Sequence, residues 1–183
     1  MNDKINVYYL IKGHLKTFYD ASTKKIYFND ILIFFILPAI AAILFSFFGM
    51  NLSNDVISLL VNFGSIFTAL LLSVLVLVYD QKSKITDKIK QSNNSEDTIL
   101  KLKSTLLLEL YYNISYSMIS AILLIVLCLI YLMVYNFTLI IPYVDIEISI
   151  NRLFFLPLII FITINLLLTI LMIIKRLNTL LIK

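Results

Sequence analysis

Six cations in this chain are spaced as if to hold an anion. Lys84 and Lys88 lie one helical turn apart, Lys101 and Lys103 follow on the next element, and Lys175 and Arg176 close the last apolar run. Repeated around the axis of a symmetric oligomer, they would form a basic ring. Tyr111, Tyr112 and His14 nearby offer planar surfaces on which bases stack. A nucleotide or a short DNA oligonucleotide suits such a site, because its phosphates neutralise lysine and arginine. The plainer reading is topology plus attraction to anionic lipid, about 1 kcal/mol per basic residue. Asp80, Asp87, Glu96, Asp97 and Glu109 offset much of the positive charge.

A second set of polar residues interrupts the apolar runs. Ser58, Asn62, Ser65, Ala69 and Ser73 recur at helical spacing, and Asp80 continues their face. Glu109, Asn113, Tyr116, Ser117 and Ser120 mark the third run, Asn165 and Thr169 the fourth, and Ala39, Ala42, Ser46 and Gly49 the first. Small and hydroxylated residues of this kind either let membrane helices approach closely or border water. Ser58, Asn62, Ser65, Ser73, Asn113, Ser117, Asn165 and Thr169 are the candidate pore or polar-face residues. An amide such as Asn62 needs a partner or water in hydrocarbon. No acid or base lies deep in any run, which argues against a proton-coupled carrier.

Enzyme chemistry has little to work with. His14 and Cys128 are the single histidine and cysteine, so no ordinary zinc ligand set can form. Three glycines in the chain provide no phosphate-binding loop. Ser residues lack a histidine partner at membrane depth, and Glu109 with Asp97 reads as a solvated helix face. The expectation is no enzyme, no cofactor and no metal, with Cys128 as a packing residue.

Four uncharged runs must position these groups: Ile31–Asn54, Val56–Tyr79, Leu110–Val144 and Leu153–Ile174. A membrane-spanning helix needs roughly 20 mostly apolar residues. Only 14% of the chain is charged and 61% is hydrophobic, against about a quarter and about half in soluble domains. The expected fold is therefore an all-α membrane protein. Residues 1–29 form an interfacial segment. Residues 30–183 form a four-helix transmembrane domain with spans at about 31–50, 56–79, 108–135 and 153–175. All of the 15 basic residues except Arg152 fall in the N-terminal segment, the connection between spans two and three, or the tail. The positive-inside rule puts these parts, and both termini, in the cytoplasm.

Local signals fill in the connections. Ile5, Tyr8, Ile11, Leu15 and Phe18 can share the apolar face of an N-terminal helix, and Asp20–Thr23 reads as a turn. Lys24, Lys25, Tyr27 and Phe28 suit the interface, and Asn29 or Asp30 can cap the first span. The short link around Gly49–Asp55 makes spans one and two a hairpin. Span two is expected to run on through Lys90, and Asn94 can cap the returning helix, with Glu96 and Asp97 in its first turn. Residues 80–107 then form a short cytoplasmic helical hairpin. The third run should leave the bilayer near Tyr135, before an external loop over Asn136–Asn151 with Pro142, Asp145 and Glu147. There the alternation of Ile146, Ile148 and Ile150 allows a strand instead. Pro157 falls early in span four, where a helix tolerates it.

A basic N-terminal segment, four spans and a basic central connection resemble the small membrane proteins of bacterial anti-phage systems. Two kinds are similar in layout: the DNA-guarded channel effector of Hailong-type systems and the membrane subunit of Kiwa-type systems. The first resemblance implies an oligomeric inner-membrane channel held shut by DNA from a partner nucleotidyltransferase. The second implies a membrane sensor with a cytosolic effector partner. The functional expectation is a homo-oligomeric channel or membrane-disrupting effector in antiviral defence, gated from the cytoplasm by an anionic ligand. The alternative is a non-conducting sensor or anchor that docks a cytosolic protein.

Overall fold

A computed structural model of the chain describes residues 6–18, 28–48, 51–91, 97–134, 138–141, 146–149 and 151–182. Among the described residues, three helices are long and apolar enough to cross a membrane, over Asn54–Lys90, Ile99–Met133 and Asn151–Leu180. The first uncharged run forms a shorter apolar helix, Leu32–Phe47, below the roughly 20 residues of a full span. The elements in order are α1 (Tyr8–Lys16), α2 (Phe28–Ile31), a π-helical stretch (Leu32–Ile36), α3 (Leu37–Phe47), α4 (Asn54–Gln91) and α5 (Asp97–Met133). Then follow β1 (Thr138–Ile141), β2 (Ile146–Ser149), a second π-helical stretch (Asn151–Phe155) and α6 (Leu156–Ile182).

The strands are the departure from an all-helical chain. They pair antiparallel, with Thr138 opposite Ser149 and Ile141 opposite Ile146. The period-2 apolar pattern over Ile146 and Ile148 prevails over the loop expected there. Several sequence expectations lie outside the described residues: the Asp20–Thr23 turn, Lys24, Lys25, Tyr27, Gly49, Asn94, Glu96, Pro142, Asp145 and Ile150. Asn29 falls inside α2, so it is not the cap, and Asp30 lies in the helix's first turn. There a carboxylate meets the positive end of the helix dipole.

Helix α4 runs unbroken for 38 residues, about 57 Å at 1.5 Å per residue. Its start is marked by Ser53, whose Oγ accepts from the Val56 amide at 3.3 Å. Its buried positions, Ile57, Gly64, Leu71 and Val78, are seven residues apart. Helix α5 repeats the same device more strictly. Leu107, Leu110, Ile114, Ser117, Ala121, Leu124, Cys128 and Tyr131 are all buried at alternating spacings of three and four. This is the 3.5-residue seam of helices that pack with a left-handed twist.

The chain divides into two compact units. The first comprises Met1–Tyr27, Ala69–Ile119 and Thr169–Lys183, the second Phe28–Thr68 and Ser120–Leu168. In the first, Leu71 and Val78 of α4, Leu107, Leu110 and Ile114 of α5, and Ile173 of α6 make one apolar core. In the second, Gly64 lets α4 and α5 approach closely. A Cβ there would stand 2.9 Å from Ile125 and 3.3 Å from the Ala121 carbonyl.

Both described prolines of the second unit follow a π-helical stretch by two residues: Pro38 after Leu32–Ile36 and Pro157 after Asn151–Phe155. A proline has no N–H to donate and crowds the carbonyl four residues back, and a wider turn relieves that crowding. The carbonyl deprived by Pro38 is that of Phe34, and the Asn165 amide donates to it at 2.9 Å. Near Pro157 the Ser46 hydroxyl donates to the Arg152 carbonyl at 2.8 Å. Arg152 in return donates from Nε to the Ser46 carbonyl at 3.2 Å and from a terminal nitrogen to that of Phe47 at 3.4 Å. The last carbonyls of α3 are thereby capped.

Candidate functional site

The eight polar residues singled out from sequence fall into two groups. Ser58, Asn62, Ser65 and Ser73, with Ala69 and Asp80, are all exposed on α4, away from its buried seam. Asn113, Ser117, Asn165 and Thr169 are buried, where they serve contacts inside the chain rather than an outer face. Asn165 is the clearest case, since its amide answers the carbonyl freed by Pro38.

The members of the exposed stripe are not equivalent. Ser65 and Ser73 turn their hydroxyls back onto the carbonyls of Val61 and Ala69, at 2.8 and 3.3 Å. A serine bonded in this way presents little unmet polarity to its surroundings. Asn62 has no such recourse, and its amide meets no hydrogen-bond partner among the described residues. At ~1.5 Å per residue it stands roughly 10 Å along the axis from Asp55 and 27 Å from Asp80, well inside the uncharged run.

The first unit contains a polar cluster that sequence reasoning missed. His14 and Thr17 of the N-terminal segment are buried. His14 Nδ1 lies 2.8 Å from Asn113 Oδ1, which also accepts from the Thr17 hydroxyl at 2.9 Å. With Nδ1 donating, the neutral form of the ring is the Nδ1–H tautomer. Its ring stacks on Tyr116 at 3.9 Å and 4° and meets Phe18 edge-on at 5.1 Å. Burial lowers the His14 pKa from 6.5 to about 4; the Asn113 bond partly opposes the shift and the Arg176 charge adds to it. His14 Nε2, Asn113 Nδ2 and Ser117 Oγ are buried without a hydrogen-bond partner among the described residues.

Close approach of α1 depends on Gly13, where a Cβ would strike the Tyr112 ring. The packed face of α1 is thus Gly13, His14 and, just beyond it, Thr17 and Phe18. The apolar face expected from sequence does not pack throughout, since Tyr8 is 66% and Leu15 43% exposed. The polar contacts to Asn113 and the missing side chain at Gly13 override the apolar pattern.

Comparison with protein-family models, characterised proteins and solved structures returns no match to this chain.

The six expected anion ligands all fall in the first unit, in different surroundings. Arg176 is already engaged: it pairs with Glu109 at 3.2 Å and donates to the Thr17 carbonyl at 2.9 Å. Its guanidinium thus links Glu109 of α5 to the Thr17 carbonyl just beyond α1. Lys84 pairs with Asp80 at 2.7 Å. Lys88, Lys101 and Lys175 are exposed and Lys103 is half-buried. Four other lysines line two clefts. Lys12 and Lys16 border a cleft of about 420 Å³ closed by Thr105, Glu109 and Tyr112. Lys82 and Lys90 border a neighbouring one of about 460 Å³. Tyr79, Lys82, Ser83, Thr86 and Lys90 follow one face of a helix in the sequence, but the other walls of this cleft come from α1 and α5.

Proposed function

We propose that this protein is a homo-oligomeric membrane channel in which the outer face of α4 borders the conducting path. The observation that carries the reading is Asn62, an exposed amide with no partner among the described residues, inside the uncharged run of α4. In hydrocarbon an unmet amide costs several kcal/mol, so protein or water must cover it. A second copy of α4 supplies the first, and a path between copies supplies the second. Ser58, Ser65, Ala69 and Ser73 extend the same face along the axis.

On this reading Leu32–Phe47, with its flanking residues, makes a fourth span. The termini and the 80–107 segment lie in the cytoplasm, because the lysines concentrate there. The channel is an antiviral effector of the inner membrane, gated at its cytoplasmic side by an anionic ligand. The test is reconstitution into vesicles: the wild-type protein carries current and Asn62→Leu changes it. A sealed monomer without current under any ligand overturns the reading.

One observation favours a second reading, a sensor or anchor that docks a cytosolic protein. Ile99 and Leu102 are exposed near the start of α5, on a segment otherwise rich in lysine. Stable capture of a soluble partner, with no depolarisation on overexpression, would support it.

A further inference from the structure

We propose that the cleft between α1, α4 and α5 in the first unit binds the phosphate of an anionic phospholipid headgroup. The inference rests on the membrane reading above and assigns a ligand to a site that the channel reading does not use. The cleft is about 460 Å³ and is walled by Tyr9, Tyr79, Tyr111 and Tyr112, with Lys82 and Lys90, and the single carboxylate Asp87, along its α4 side. Three separate helices bring these groups together. Tyr9 of α1 hydrogen-bonds through its hydroxyl to that of Tyr112. The Tyr9 and Tyr111 rings both meet Tyr112 edge-on, at 5.6 and 5.7 Å. An ordinary belt of interfacial tyrosines needs no such convergence.

Position identifies the occupant. Tyr79 is the last residue before Asp80 ends the second uncharged run, and Tyr111 and Tyr112 lie just inside the third. The cleft thus sits where apolar helix gives way to charged helix, which is headgroup depth. Charge agrees with position. Lys82 is half-buried and has no ion-pair partner among the described residues, while Lys90 is 4.0 Å from Asp87, a loose contact. Lys12 and Lys16 line the adjoining cleft across the Tyr9–Tyr112 pair, and its one carboxylate, Glu109, is paired with Arg176. A phosphate diester presented by a lipid would be met by an ammonium and by phenol and Ser83 hydroxyls, while its glycerol and upper acyl chain lie against Leu108 and the tyrosine rings.

The test is native mass spectrometry of the full chain in detergent, titrated with dioleoyl phosphatidylglycerol or dioleoyl phosphatidylcholine. The phosphatidylglycerol is expected to be retained and the phosphatidylcholine lost. Each lysine near a membrane surface is worth about fivefold in affinity for anionic lipid, so Lys82→Gln/Lys90→Gln should weaken phosphatidylglycerol binding roughly thirtyfold. Equal retention of the two lipids overturns the proposal. So does an equal loss in Lys84→Gln/Lys88→Gln, since net charge rather than the cleft would then attract the lipid. Binding of adenosine monophosphate at the same lysines, with no lipid preference, overturns it in favour of a soluble phosphate ligand. Current recorded in phosphatidylcholine bilayers separates the two readings. A protein silent there and in phosphatidylglycerol, with or without an anionic ligand, that still selects phosphatidylglycerol refutes the channel alone, and a conducting protein without lipid preference refutes the cleft alone.

Discussion

Acidification should loosen helix α1 from the rest of its unit, through His14. The docked imidazole is buried and bonded to Asn113, and burial disfavours its charged form. Its pKa falls from 6.5 to about 4, so the docked state binds fewer protons than the undocked state between those values. Docking is therefore at full strength above about pH 6.5, weakens as pH falls through this window, and levels off below about pH 4. The whole shift corresponds to about 3 kcal/mol at ~1.36 kcal/mol per pKa unit. Relative to pH 7.5, the undocked population should rise about tenfold at pH 5.5 and about seventyfold at pH 4.5. Hydrogen exchange of the Tyr8–Lys16 amides, corrected for intrinsic rates, reads this directly. His14→Gln keeps a donor for Asn113 Oδ1 and should flatten the profile while α1 stays docked. Glu109→Gln removes the nearby carboxylate as a competing origin of the pH response. Protection that does not change with pH, or the same profile in His14→Gln, would refute the assignment.

Three substitutions test the packing around the candidate site. Gly13→Ala should leave α1 helical, because alanine favours helix, yet undock it. The added Cβ meets the body of the Tyr112 ring, at an overpacking cost of about 1–3 kcal/mol, and exchange of α1 amides should rise even at pH 7.5. Glu109→Leu leaves the Arg176 guanidinium without its carboxylate. A loss of about 2 kcal/mol is expected, discounted for partial exposure of the pair, and the double change with Arg176→Met should recover much of it in thermal unfolding. Asn165→Leu removes the donor to the Phe34 carbonyl, for about 1–3 kcal/mol. Pro38→Ala in the same chain restores an N–H four residues on and should return part of that stability; additive losses would contradict the role given to Asn165.

The long helices were legible because their signals are local. The charged residues Asp55 and Asp80 bracket one uncharged run and Glu109 opens another, and α4 and α5 run through them to within two residues of the expected ends. The α4 stripe was legible too, since helical spacing alone puts Ser58, Asn62, Ser65 and Ser73 on one face. Which way each polar residue points was not. Asn62 and Asn165 look alike in sequence, yet one is exposed and the other buried, and the difference lies in a proline-freed carbonyl 131 residues away. Docking of α1 was hidden for a similar reason. His14 and Asn113 are separated by 99 residues, and Gly13 gives no periodic signal. The lysines of the clefts were overlooked because Lys84 and Lys88 satisfy simple helical spacing, whereas Lys82 and Lys90 acquire meaning only beside the tyrosines of two other helices.

On the channel reading the outer face of α4 borders the conducting path, and single-channel recording tests this most directly. Purified protein in planar bilayers, and the same protein with Asn62→Leu, should be compared at matched copy number. We expect discrete current steps from the wild-type protein, and a changed unitary conductance when the exposed amide is replaced. Current steps unchanged by Asn62→Leu, or a monomer that passes no current in any lipid or with any anionic ligand, would contradict the central claim.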